Sequence, residues 1–323
     1  MADRQKRSWT LPREWHGIRL EDCLERRFPR TDRVQLRALA EEGLVLVNRT
    51  AARPGRRLWT GDWIEILADP TALRPLSAPA PSVRVLIETP TVLVVDKPAG
   101  LPCVPDRFRG RDPSLHSLLP GLRPESDLRI VHRLDRDTSG CVVLAKGPDA
   151  ARHFDRLLRA GSVAKEYLAL VSGSADPPAL VDLWLGPDRR RPGKVVASRT
   201  GSKGFRAALT EIAVERRYAR HCLVRLRPKT GRGHQLRVHL SAIGRPIVGD
   251  GDYGGEELLL SDIKRRYKQR PGRVERPLLS RMFLHAERLS FADVGGAWLS
   301  AVSPLPGDLR QALSKLERYS AGK

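Results

Sequence analysis

The chain has 323 residues, room for one large domain and a small one, and 41% of them are hydrophobic, enough for a packed core. It carries 58 Lys and Arg against 37 Asp and Glu, a net charge of +21 that draws polyanions. Nucleic acid leads an anionic membrane as partner because no long basic amphipathic helix stands out. No run of about 18 apolar residues is present and MADRQKRSWT lacks an apolar leader core, which argues against a membrane span and export and for the cytoplasm.

Leu20, Leu24 and Phe28 recur at helical spacing and Pro29 stops the helix. Thr31 is placed to cap a second helix carrying Val34, Leu36 and Leu39 and ending at Gly43. Residues 44–48 read as a strand, Gly61-Asp62 as a turn and 63–66 as a second strand, giving a small module over 13–69. Residues 70–82 hold Pro70, Pro75, Pro79 and Pro81, an extended linker. Beyond it, 83–310 reads as many short strands with a few helices: strands at 92–95, 141–145, 167–171 and 223–226, and a strand or helix at 236–240. Residues 149–160 predict an amphipathic helix with His153, Phe154, Leu157 and Leu158 inward. From Lys264 to Arg276 there are seven basic residues and one acid, Glu275. This reads as a solvated loop leaving a helix that starts near Glu256, with Lys264, Arg265, Arg266 and Lys268 as candidate phosphate contacts. Residues 311–323 read as a basic tail.

Two segments concentrate chemistry. The first, His132-Arg133-Leu134-Asp135-Arg136-Asp137-Thr138-Ser139-Gly140, precedes an apolar strand. It fits a tight turn held by side-chain hydrogen bonds. It equally fits a charged Asp135, set between Arg133 and Arg136, that acts as nucleophile or general base. The second, from Pro228 to Leu240, is a Gly-flexed loop leading into alternating residues. If extended, Gln235, Arg237 and His239 share one face and Leu236, Val238 and Leu240 the other. His234 and His239 have the wrong spacing for two zinc ligands on a helix, and neither a dinucleotide fingerprint nor a P-loop is present. Cysteines stand far apart at 23, 103, 141 and 222 with no C-x-x-C pair, which predicts reduced, mostly buried thiols. No metal or cofactor is expected.

The run HRLDRDTSG followed by an apolar strand resembles the signature of the RluA-type pseudouridine synthases. Residues 94–101, 165–171, 228–254 and Leu284-His285-Ala286 resemble that family's other motifs, in family order. Gly233 departs from it, standing where Thr or Ser is usual. Residues 17–67 are similar to an S4 RNA-binding domain, with Asn48-Arg49 where Asn-Gly is usual at the hairpin. The resemblance implies an α+β protein. A small S4-like αα/β module would be followed by a pseudouridine synthase catalytic domain with a mixed, mainly antiparallel sheet and flanking helices.

The implied reaction breaks the C1′–N1 bond of a uridine in RNA and rejoins the base through C5, with no redox change and no cofactor. Asp135 would be the nucleophile, Arg237 its charge partner and Tyr167 the residue that stacks on the base and assists removal of the C5 proton. Arg133 would fill the space of a flipped-out base. His132, Arg136, Arg232, His234 and Gln235 would complete the RNA contacts. The implied partner is large-subunit ribosomal RNA, with transfer RNA as the alternative, and the protein would act as a monomer. Two competing readings remain: an RNA-binding protein without chemistry, and a metal-dependent hydrolase.

Overall fold

The structure, a computed structural model, describes residues 8–29, 31, 33–67, 82–105, 113–191, 193–268 and 275–320. The chain divides near residue 80 into two compact units. All of the expected linker except Ser82 lies outside the described residues.

The first unit contains β1 (Ser8–Thr10), α1 (Leu20–Arg27), α2 (Arg33–Glu41), β2 (Val45–Val47), β3 (Thr50–Ala51) and β4 (Trp63–Ile66). Its strands order as β1-β4-β2-β3. Ile64 and Ile66 of β4 and Val45 and Val47 of β2 point to one side, as the two-residue period requires. They meet Leu20, Cys23 and Leu24 of α1 and Leu36 and Leu39 of α2, all buried. The unit starts before residue 13, because Trp9 pairs with Ile64 across β1 and β4. A three-residue strand carries too little periodicity to be read from sequence.

Asn48 and Arg49 form the hairpin turn with φ of 52° and 65°, both left-handed, as a two-residue type I′ turn demands. Arg49 therefore carries the strain that the usual glycine avoids, about 1 kcal/mol or more. The Asn48 side chain opposes that strain. Its Nδ2 donates to Asp62 Oδ1 (2.8 Å) and its Oδ1 accepts the Trp63 N–H (2.9 Å).

The second unit runs β5 (Arg84–Glu88), β6 (Val92–Lys97), α3 (Leu115–Leu122), β7 (Leu128–Ile130), β8 (Ser139–Lys146), α4 (Gly147–Arg159), β9 (Ala164–Ser172), β10 (Leu180–Pro187), β11 (Val195–Ser198), β12 (Arg206–Arg217), β13 (His221–Pro228), α5 (Gln235–Ala242), α6 (Leu260–Ile263), β14 (Leu284–Ala292), β15 (Trp298–Val302) and α7 (Gly307–Ser320). One eleven-stranded sheet follows the order β11-β10-β12-β13-β9-β14-β8-β6-β5, with β15 on β14 and β7 on β8. The β8–β14 pair is parallel and the other pairs are antiparallel, so the sheet is mixed and mainly antiparallel.

Strands β6 and β8 read as unbroken apolar runs because both faces are covered. Val92, Val94, Cys141 and Val143 pack on one side with Phe154 of α4 and Phe291 of β14. Leu93, Val95, Val142 and Leu144 pack on the other with Leu115 and Leu119 of α3 and with Leu134. A third core joins β9 and β13 to Leu236 and Leu240 of α5, to Phe283, and to Leu309, Ala312 and Leu316 of α7.

Three expectations are corrected. The segment expected as a basic tail forms α7 up to residue 320, and the Leu309/Ala312/Leu316 spacing buries one helical face. The helix expected near Glu256 is only the single turn α6. Of the two conformations open for 236–240 the helix is found, so the single face that an extended chain would give Gln235, Arg237 and His239 is corrected. All four cysteines are buried and unpaired. Among the described residues no helix is long and apolar enough to cross a membrane.

Candidate active site

Asp135 lies in the loop that carries the chain from β7 into β8, and buried lysine chemistry fixes that loop. Lys97, at the end of β6, is fully buried, and its ammonium donates to three carbonyls: Pro98 (2.9 Å), Leu101 (2.7 Å) and Arg136 (3.0 Å). Two of these belong to the 98–101 turn and the third to the residue after Asp135, so one cation ties the two loops. Burial lowers the Lys97 pKa to about 8, which leaves it charged at neutral pH. The Gly100 N–H donates to the same Arg136 carbonyl (2.9 Å), and Arg136 Nε donates back to the Gly100 carbonyl (3.0 Å). The Leu134 N–H meets Cys103 Sγ at 3.3 Å, and the Thr138 N–H closes a turn onto the Asp135 carbonyl at 3.2 Å.

The loop enters β8 through Gly140, whose φ is +120°. A Cβ there would lie 2.1 Å from the Ala286 carbonyl oxygen, so only glycine lets β14 approach. Beside it, fully buried His285 links Ser139 Oγ at Nδ1 (3.0 Å) and the Ser303 carbonyl at Nε2 (3.0 Å). Burial lowers the His285 pKa and a carbonyl only accepts, so Nε2 carries the single hydrogen and Nδ1 accepts from the serine. His285 is thus a neutral strut of the sheet.

Arg237 reaches the loop from α5. Its Nη1 donates to Asp135 Oδ2 at 3.2 Å, while Nε and Nη2 fork onto the two oxygens of buried Asp250, both at 2.7 Å. The guanidinium also lies over the Tyr253 ring, 4.8 Å from its centroid. Burial alone would lower the Arg237 pKa, but the hydrogen bonds and charge of Asp250, followed by those of Asp135, raise it above the usual arginine value. Asp250 takes the two-point contact, so Asp135 is held at one oxygen only.

His234 stands at the start of α5 in the left-handed conformation, φ 53°. The Tyr253 hydroxyl accepts the Val195 N–H (3.1 Å) and donates its hydrogen to His234 Nδ1 (2.7 Å). This leaves a protonated Nε2 4.0 Å from Asp135 Oδ1. Burial lowers the His234 pKa, so the ring is neutral at pH 7.

Tyr167 sits on β9, opposite Ala286 of β14, and packs against both the Leu134 cluster and the β9–β13 core. Burial, and after it the charge of Asp135, push its hydroxyl pKa above the usual tyrosine range, so it stays a neutral phenol. Asp135, Tyr167 and the pair His234 and Arg237 therefore converge from three separate stretches of sequence.

The other sequence candidates divide. Arg133 is exposed close to Asp135, and half-buried Arg232 donates from Nε to the Ala207 carbonyl (3.0 Å). His132 is committed to the sheet: Nε2 accepts the Val143 N–H at 2.9 Å, and burial lowers its pKa to about 3. Gln235, a candidate RNA contact, is turned into the protein. It is 4% exposed; its oxygen accepts from Thr230 Oγ1 and the Arg232 N–H, and its nitrogen donates to the Leu209 carbonyl and Thr210. That side chain shapes the 230–232 loop. Lys264 lies over the Tyr319 ring of α7 (5.5 Å). Among the described residues, none of Lys264, Arg265, Arg266 and Lys268 bonds to Asp135, His234 or Arg237. His239, wrongly spaced for zinc, is fully buried and away from this cluster on the helix.

Several residues that shape the site were not assigned a role from sequence: Lys97, Asp250, Tyr253, Lys194 and Arg281. Lys194 pairs with Asp252, which also takes an Arg237 contact at 3.4 Å. Arg281 forks onto Asp308 of α7 and sends Nη1 to the Asp137 carbonyl at 3.3 Å. A charged residue inside an apolar run, such as Lys97 after 92–95, was the one readable signal. A charge there must find buried partners.

Residues 91–242 match the profile of a family described as RNA pseudouridylate synthase. The chain is 32% identical over 319 residues to ribosomal large subunit pseudouridine synthase D of Neisseria meningitidis serogroup B, covering 97% of this chain and 82% of that one. It is 32% identical over 320 residues to ribosomal large subunit pseudouridine synthase C of Escherichia coli strain K12, covering 93% of each. Its fold is similar to human RNA pseudouridylate synthase domain containing 4, with a TM-score of 0.53, 28% identity, and coverage of 72% of this chain and 92% of that one. By full-length similarity and by this match, the chain belongs to the RNA pseudouridylate synthase family.

Proposed function

We propose that this protein isomerises uridines of large-subunit ribosomal RNA to pseudouridine with Asp135 as the nucleophile. The observation that carries the reading is the one-point contact of Arg237 with Asp135. Breaking C1′–N1 requires a carboxylate near the sugar carbon. A carboxylate clamped at both oxygens could not approach it, and one with no cation beside it would not be oriented. Asp250 takes the fork and leaves Asp135 one oxygen free of that guanidinium.

In this reading Tyr167 stacks on the detached base while it turns to present C5, and its neutral phenol favours stacking over proton removal. Exposed Arg133 fills the gap left when the uridine flips out, since a guanidinium both stacks and binds phosphate. The first unit, two helices on a small sheet, acts as an S4-like RNA-binding module. The net charge of +21 supports RNA as the partner. Because the base leaves C1′ and returns to it without a change of oxidation state, no metal or cofactor is needed. We read the protein as a cytoplasmic monomer.

The named targets of the similar proteins favour ribosomal over transfer RNA. Both substrates can be tested with RNA tritiated at uridine C5, because joining C5 to C1′ expels that hydrogen. Release from large-subunit RNA and not from transfer RNA is expected; release from transfer RNA alone would overturn the substrate assignment.

A further inference from the structure

The arginines of the first unit fall into two groups. Residues 20–42, which include both helices, carry five Arg and six acids. Arg33 there pairs with Asp22 and Glu25, Arg37 pairs with Glu41, and Arg26 and Arg27 lie over the rings of Trp15 and Trp9. Residues 49–63 carry four Arg and a single acid, Asp62. Arg49, Arg53 and Arg56 form no ion pair among the described residues, and Arg57 only donates to the Gly17 carbonyl. Both oxygens of Asp62 accept structural hydrogen bonds, from Asn48 Nδ2 and from the Trp59 N–H.

The same 49–63 segment presents Trp59, 52% exposed, and Trp63, 43% exposed. Both are held in place. The Trp59–Asp62 turn closes through the Asp62 N–H on the Trp59 carbonyl (2.9 Å). The His16 ring stands edge-on to Trp59 with centroids 5.2 Å apart, and His16 Nδ1 is tied to Thr60 Oγ1 (3.0 Å). The Trp63 N–H donates to Asn48 Oδ1 (2.9 Å) and the Trp63 carbonyl accepts the Asn48 N–H (2.7 Å).

We propose that the segment from Arg49 to Trp63 docks unpaired RNA nucleotides, with Trp59 and Trp63 stacking on bases and Arg49, Arg53 and Arg56 taking phosphates. The proposal rests on RNA being the substrate. Fixed aromatic faces beside uncompensated cations suit a splayed single strand, whose bases have free faces. A duplex offers phosphates but no free base face along its length. A protein partner would require acids to match the arginines and has no other support here. Preformed rings also lose little freedom on binding.

The test uses the full chain, a 12-nucleotide oligoadenylate, which contains no uridine to enter the active site, and a 12-base-pair G·C duplex. Trp59→Leu and Trp63→Leu remove the ring yet keep an apolar side chain; Trp59→Phe and Trp63→Phe keep a flat ring. Each Leu variant should weaken single-strand binding about 5- to 150-fold and leave duplex binding unchanged. Each Phe variant should recover most of the loss. Removing the Arg53 and Arg56 charges should lower the single-strand salt slope by roughly 0.7 apiece. Unchanged single-strand affinity in the Leu variants, equal losses for strand and duplex, or no difference between Leu and Phe would overturn the proposal. Tritium release by the wild type, run on the same preparation, separates the two claims. Release without any tryptophan effect removes this surface alone, while a tryptophan effect without release keeps it and removes the isomerase reading.

Discussion

Replacing Lys97 by Met tests how the loop that carries Asp135 is held. The side chain is fully buried and makes three hydrogen bonds, to the carbonyls of Pro98, Leu101 and Arg136. Hydrogen bonds to a charged group are each worth about 1.5–3 kcal/mol, and a dry acceptor left behind costs about 1–3 kcal/mol. Against this stands the desolvation of the ammonium, visible in its pKa of about 8. Removal of one partner from a buried charged set typically destabilises by about 3–5 kcal/mol, and that is the expected loss here. It is a large part of a domain's total of about 5–15 kcal/mol. Because the Arg136 carbonyl follows Asp135 directly, the loosened loop should also misplace the carboxylate. A displacement near 1 Å is enough to lower the rate by roughly 100-fold. Urea unfolding gives the first quantity, and tritium release well below the unfolding temperature gives the second. A Met variant within about 1 kcal/mol of wild type, releasing tritium at the wild-type rate, would refute the clamp.

Gly140→Ala should cost on the order of 4 kcal/mol or more, because its Cβ would meet the Ala286 carbonyl at 2.1 Å on a backbone with φ +120°; a urea midpoint near wild type would contradict the close approach of β8 and β14. His239 is fully buried with no partner for either ring nitrogen among the described residues, and burial lowers its pKa to about 4. Between pH 6.5 and about 4 only the unfolded chain takes up that proton, so stability falls as pH falls through this window, by on the order of 3 kcal/mol. His239→Leu should therefore be more stable by about 1–3 kcal/mol at neutral pH and less pH-sensitive in that window; an equally steep dependence would count against the assignment. Arg49→Gly should relieve the left-handed strain at φ 65° and raise the urea midpoint, by about 0.5 kcal/mol or more in stability. It should also weaken single-strand RNA binding by removing one phosphate contact.

Much of the scaffold is legible in the sequence where burial and periodicity agree. The runs at 92–95 and 141–145 are strands covered on both faces, and Phe154 turns inward at helical spacing. The segment from Gln235 to Leu240 misleads because its polar residues are themselves buried: Gln235, Arg237 and His239 all lie inside. Alternation of residue type then carries no information about exposure, and an eight-residue helix that starts from a left-handed His234 without a capping side chain leaves no start signal. In the same way α7 follows a Pro-rich approach and carries many charges, which disguises Leu309, Ala312 and Leu316. The grouping of Asp135, Tyr167 and Arg237 in a candidate site was legible through motif resemblance. Asp250 was not, because the choice of a fork partner thirteen residues away is made by the 235–250 fold rather than by local spacing.

The central claim is that Asp135 performs the chemistry in a site that already binds RNA. The direct measurement is tritium release from C5-labelled large-subunit RNA by wild type and Asp135→Ala, with the affinity of each for the same RNA measured alongside. The account predicts release by the wild type, none by the variant, and RNA affinities within a few-fold of each other. Release by Asp135→Ala at a comparable rate would contradict it.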